Sequence, residues 1–154
     1  VVVIIAIAAM IAVPMMNSVD SVQIRSAANM IAADLEYAKS MAISRQKNYS
    51  VVFNAAGDCY EVHDPNGIIK HPVKKGFDYK VDFSSDSRID KVVINNADFG
   101  PGSSDTITFD YLGSPYSGNG TSSPLNSGTI SIRARDFTMT ISVEPVTGFI
   151  SITD

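Results

Sequence analysis

VVVIIAIAAMIAVPMMNSVDSVQIRSAANMIAADLEYAKSMAISR, residues 1–45, decides the architecture, because its hydrophobic pattern changes halfway along while the helical period continues. Residues 1–16 are fifteen apolar residues and Pro14, and the first charge is Asp20. From Ile24 the apolar positions narrow to one stripe, Ile24, Ala28, Ile31, Leu35, Ala38 and Ala42, at alternating steps of four and three. That spacing lines one face of an α-helix. Asp34, Glu36, Lys39 and Arg45 fall off the stripe, and Glu36 and Lys39 are spaced to pair one turn apart. The stretch reads as one helix from Val1 to about Arg45, apolar all round at first and one-sided afterwards.

A helix of that length extends ~68 Å, several times an ordinary globular helix. The remaining chain cannot cover it, so the first half is expected to project and to be buried by something outside the monomer. A secretory signal would need a positive region ahead of the apolar run and would not need the helical pattern to continue beyond it. A membrane span needs ~20 apolar residues, and sixteen reach only ~24 Å. The run is already apolar at Val1, as expected if it begins inside a longer hydrophobic segment. A buried core helix is the remaining alternative, and the one-sided stripe that follows argues against it. Pro14 removes a backbone donor and predicts a kink or an opened turn. Ala6, Ala8, Ala9 and Ala12 are small enough to let helices approach closely.

Beyond Lys47 the period changes to two. YSVVFN, DCYEVHD, DYKVDF, DKVVIN and DTITFDY read as short strands. In the last segment Ile130, Ile132 and Ala134 alternate with Ser131, Arg133 and Arg135, and Phe137, Met139, Ile141 and Val143 alternate with Thr138, Thr140 and Ser142. These are half-buried antiparallel strands, with EPVTG as the final turn and DPNG at 64–67 as an earlier hairpin. FGPGSSD and LGSPYSGNGTSSPLNSG read as surface loops, the second with Tyr116 as its one anchor residue. The fold class is therefore α+β: a long N-terminal helix, its apolar half projecting and its amphipathic half packed on an antiparallel β-sheet or sandwich domain. The organisation is 1–23 hydrophobic transmembrane or assembly helix, 24–47 amphipathic half, and 48–154 β-rich globular domain.

Composition narrows the function. All 12 Lys/Arg and 16 Asp/Glu lie beyond residue 16, for a net charge of −4. A mildly acidic domain lacks the positive field of a general phosphate binder, so nucleic acid is not the expected partner. Cys59 is the single cysteine and reads as a small buried strand residue. His63 and His71 flank the DPNG turn without facing each other, so they make no zinc pair. No nucleophile motif, phosphate loop or HExxH is present. SSDSRID and GPGSSD carry carboxylates without EF-hand spacing. Lys70, Lys74, Lys75 and Lys80 gather near Phe77 and Tyr79, with Asp78 interrupting, and read as a solvated loop. No cofactor, metal or catalytic residue is expected.

The helix with its proline, VVVIIAIAAMIAVP, the segment IRSAANMIAADLEYAKSMAISRQKNYSVVF, the later ITFDYLGSPYSG and the closing strand–turn–strand with Gly148 resemble the type IV pilin and pseudopilin family. The likeness is strongest to its H-type, GspH/FimT-like branch. The family's initial Phe and nearby Glu would fall upstream of Val1 and are carried to no residue here. DNA-binding members use arginines in the final strand region, where this chain has TGFISITD, so DNA binding is not carried over.

The resemblance implies a protein held in the bacterial inner membrane, then moved into a periplasmic or extracellular helical filament with apolar helices inside and β-domains outside. The expected role is a structural subunit; the alternative is a low-copy tip pseudopilin of a secretion system or DNA-uptake pilus that binds partner pilins, cargo or DNA through its β-domain. A third reading is a membrane-tethered binding domain that never polymerises. The expected partners are copies of the chain, other pilins or pseudopilins and, before assembly, the inner membrane. The expected assembly core is Val1, Val2, Val3, Ile4, Ile5, Ile7, Ala8, Met10, Ile11, Val13, Pro14 and Met15. The expected helix-to-sheet packing residues are Ile24, Ala28, Ile31, Leu35, Ala38 and Ala42.

Overall fold

In the computed structural model the backbone is described for residues 2–100 and 104–154, and side chains from residue 19 onward within those ranges. The side chains of the expected assembly core, Val1 to Met15, and the expected kink at Pro14 lie outside the described residues. Helix α1 spans Val2–Arg45. Two antiparallel sheets follow, built from β1 (Tyr49–Asn54), β2 (Cys59–Asp64), β3 (Gly67–Ile68), β4 (Lys80–Asp82), β5 (Val93–Asp98), β6 (Thr106–Phe109), β7 (Pro115–Ser117), β8 (Gly128–Ala134), β9 (Phe137–Val143) and β10 (Ile150–Thr153). One sheet has the order β3-β2-β1-β6-β7 with β4 also on β2; the other is β10-β9-β8-β5.

The apolar stripe of α1 supplies the core between helix and sheets. Ile24 is 2% exposed, and Ala28, Ile31, Leu35, Ala38 and Ala42 are fully enclosed. Ala27 is equally buried and widens the stripe. In β8 the period-two pattern sends Ile130, Ile132 and Ala134 inward, where they meet Met139, Ile141 and Val143 of β9. Fully burying each Ile or Leu contributes roughly 1.5–3 kcal/mol. The small Ala positions let the helix backbone lie close to the sheets, and close packing adds dispersion contacts that a gap would forfeit.

Three local expectations are corrected. Phe137 is exposed, because its pair with Ala134 closes the β8–β9 hairpin at the rim of the sheet. The strand expected in DKVVIN starts only at Val93, since Ile89 and Val92 are buried within a run of turns instead. The loop LGSPYSGNGTSSPLNSG is a structured strap: it contains β7, paired with β6, and its second anchor is Leu125, which is 3% exposed. The strap covers the outer face of β6, which is why all four β6 residues are buried. Thr108 Oγ1 meets Ser50 Oγ at 2.8 Å, donates to Gly118 O at 2.7 Å and accepts from Gly120 N at 3.2 Å.

Candidate assembly surface

The functional candidate is α1 and the way the β-domain grips it. Three polar ties fasten the helix at different heights. Lowest is Gln23, buried, whose amide donates to Asp90 Oδ1 at 3.1 Å and to Ser87 O at 3.3 Å, while its Oε1 accepts from Lys91 N at 3.0 Å. All of its side-chain hydrogen-bonding groups except one lone pair are thereby engaged, which a buried amide requires. The carboxylate of Asp90 in SSDSRID is thus occupied by the helix, and that of Asp86 is occupied by Arg88, which holds its pKa down to about 2.

The middle tie is Asp34. Its two carboxylate oxygens accept from Tyr60 Oη at 2.6 Å and Tyr79 Oη at 2.8 Å. Tyr60 is itself enclosed in an aromatic cluster, 5.3 Å from Phe53 and 6.2 Å from Phe83 between ring centres. Burial raises the Asp34 carboxyl above its ordinary value of 3.8, opposed by the two tyrosine bonds and by the field of His71. Burial and the neighbouring carboxylate push both tyrosine hydroxyls well up, so they remain protonated donors. Asp34 stands off the apolar stripe yet is half-buried, because the sheet beside the helix offers two phenols there.

The upper tie is Lys39, whose Nζ donates to Gly148 O at 3.0 Å instead of pairing with Glu36. Gly148 sits in the β9–β10 turn at φ +59°, and a Cβ there would lie 3.1 Å from Gly113 O. Gly113, at φ +83°, lets its own turn approach so closely that a Cβ would meet Ile43 Cδ1 at 2.9 Å. Two longer ion pairs, the exposed Arg25 with Asp154 at 3.8 Å and Arg135 with the half-buried Asp20 at 3.9 Å, flank the helix lower down.

The side of α1 turned away from the β-domain carries exposed apolar residues at its lower end. Val19 and Val22 are 52% and 66% exposed on the side of α1 turned away from the stripe. Among the described residues no helix is long and apolar enough to cross a membrane. The histidines have separate surroundings: His63 Nε2 lies 3.1 Å from Glu61 Oε2, while His71 packs its ring 4.5 Å from that of Tyr79 and accepts from the amides of Val73 and Lys74 through Nδ1. Among the described residues no three His, Cys, Asp or Glu side chains gather as a metal site would require. Cys59 is buried, and desolvation pushes its thiol pKa up. Sequence reasoning missed Gln23 and Asp34 as ties. Asp34 had a readable signal, a carboxylate one position from the buried Leu35, but its tyrosine partners are 26 and 45 residues away.

The sequence matches the family described as "Type II transport protein GspH" over residues 27–147. Among solved structures, the minor pseudopilin EpsH from the type 2 secretion system of Vibrio cholerae is similar at a TM-score of 0.58, with 11% identity over 84% of this chain and 94% of that one. The type IV minor pilin FimU of Pseudomonas aeruginosa strain PAO1 is similar at a TM-score of 0.51 and 20% identity, over 84% of this chain and 92% of that one. At these identities the likeness is one of fold. No curated protein matches.

Proposed function

The chain belongs to the GspH family of type II transport proteins, and from that premise we propose that it is a filament-building subunit whose N-terminal helix is the assembly element. A pilus-like or pseudopilus subunit role follows from the family and the fold together. The observation that carries the finer reading is the mismatch between helix and domain. The α1 stripe is buried on one face from Ile24 to Ala42, whereas the sixteen-residue run ahead of it is apolar on every side, and Val19 and Val22 on the far face of the helix are already open. One β-domain cannot shield that segment; a bilayer and then neighbouring helices can. Leaving lipid for a helix bundle gains little from the hydrophobic effect, so close packing has to drive the step, which suits the small residues Ala6, Ala8, Ala9 and Ala12.

On this reading residues 1–23 form the assembly core, the β-domain lies outside, and the protein resides in the inner membrane before it enters a periplasmic or extracellular filament. The test compares the full chain with one lacking residues 1–18, a cut that keeps the Gln23 tie. The full chain is expected in membranes and in sedimentable filaments, and the truncated chain as a soluble monomer. A full chain that stays monomeric in plain buffer overturns the proposal. A second reading, a low-copy tip subunit, is supported by both structural relatives, one a minor pseudopilin and the other a minor pilin. Copy number in isolated filaments separates the two: a dominant component fits the body, a trace component the tip.

A further inference from the structure

Among the described residues, the large apolar side chains at least 50% exposed fall in three places. Val19 and Val22 are on α1. Val73 and Phe77 are on the hairpin between β3 and β4. Tyr111, Leu112, Val146 and Phe149 are on two adjoining turns, β6–β7 and β9–β10. The first pair continues the assembly helix. The other two groups are unexplained by it, and contiguous exposed apolar surface of this kind marks contact sites.

The two groups lie on opposite flanks of α1. The hairpin is tied to the helix at Asp34, through Tyr79, against whose ring His71 packs. The paired turns are tied at Lys39 and Ile43, through Gly148 O and Gly113. At ~100° and ~1.5 Å per residue, Asp34 stands ~140° from Lys39 and ~180° from Ile43, and ~8–14 Å below them along the axis.

Their charges are complementary. Lys74 and Lys75 are exposed at the hairpin tip beside Val73, Lys74 within the field of Asp86 and Lys75 paired with no carboxylate among the described residues, while Lys70 is already neutralised by Asp78 at 2.7 Å. On the other flank Glu144 is exposed beside Val146 and Phe149, and Glu36 is exposed on the neighbouring helix surface. Lys39, the cation of that flank, is turned onto Gly148 O. Neither Lys75 nor Glu144 has an ion-pair partner among the described residues.

We propose that the β3–β4 hairpin of one copy docks on the β6–β7 and β9–β10 turns of the next copy, Lys74 and Lys75 facing Glu144, and Val73 and Phe77 meeting Leu112, Val146 and Phe149. Such a contact joins two different patches of the same molecule. It does not close into a dimer but repeats, as a helical filament requires. Two apolar side chains on the hairpin and three on the turns fall short of the ~1,000 Å² of a stable free-standing interface. The contact therefore sets register only once helix burial has raised the local concentration of copies. This inference rests on the filament reading above.

The test uses the full chain in its membrane, with Lys75→Cys and Glu144→Cys placed together, and the buried Cys59 left in place. Mild oxidation is expected to give a ladder of cross-linked species, because each copy offers one cysteine to each neighbour. Either cysteine alone is expected to give none. Val73→Asp added to the pair is expected to lower the ladder yield several-fold, and Val146→Lys alongside it to restore part of that loss. A chain that sediments with filaments but forms no ladder overturns the lateral contact and leaves the assembly reading standing. A dimer from Lys75→Cys alone overturns it in favour of a two-fold contact. Cross-links only to a different protein overturn the second copy as the occupant. A chain that neither cross-links nor leaves the membrane overturns both readings.

Discussion

At Asp34 a charge is held where the surrounding stripe would otherwise be apolar, and two buried phenols keep it there. A carboxyl whose folded pKa lies above its ordinary 3.8 stabilises the fold fully below that value. The contribution is lost as pH rises through the raised value, because the ionised form is partly desolvated. Thermal melts of the domain across that window are expected to show the margin of the native chain over Asp34→Asn shrinking as pH rises, then levelling. Tyr60→Phe removes one of the bonds that hold the pKa down, so the Asp34 carboxyl is expected to rise further in an NMR titration. With Asp34 ionised the variant is expected to lose about 1.5–3 kcal/mol, the usual net worth of a hydrogen bond to a charged group. A melting profile of Asp34→Asn parallel to the native one at every pH would contradict this account.

Among the elements, α1 and the strap over β6 are the two whose integrity depends on single side chains. Leu35 is fully enclosed between helix and sheets. Leu35→Ala is expected to cost about 2–5 kcal/mol in denaturant unfolding of the domain, the range for deleting a buried leucine. Leu125 pins the strap, and Leu125→Ala is expected to free it without unfolding the sheets. Faster amide exchange confined to Ser117 and Gly120, with β8 and β9 amides unchanged, would check that. Global acceleration would show the strap to be part of the cooperative core instead. Gly148, held at φ +59° with a backbone oxygen close to its missing Cβ, tolerates no larger residue without moving the β9–β10 turn off Lys39.

For the whole molecule, the governing fact is a helix longer than the domain that holds it. Removing residues 1–18 is expected to leave domain stability unchanged, since the ties at Gln23, Asp34 and Lys39 remain. Adding Gln23→Ala to that truncation is expected to fray the lower end of the helix, leaving Lys91 N without its acceptor and Asp90 Oδ1 without its amide donor, at about 1–3 kcal/mol. Analytical ultracentrifugation and amide exchange along residues 19–28 would read both outcomes. Equal protection with and without Gln23 would remove the lower tie from the description.

The helix, its one-sided stripe and the alternation of β8 and β9 were legible in the chain, because helical and strand periods are local: each apolar residue needs only its position three, four or two residues on to declare its face. The turns at EPVTG and DPNG were legible for the same reason, being written in Pro, Gly and Asn. What required the tertiary structure was every contact between distant segments. Asp34 meets Tyr60 and Tyr79, Gln23 meets Lys91, Lys39 meets Gly148, and Leu125 seals a strap that reads locally as loop. No period encodes these, since a polar residue on a helix flank becomes a tie only where folding brings a donor or acceptor within about 3 Å.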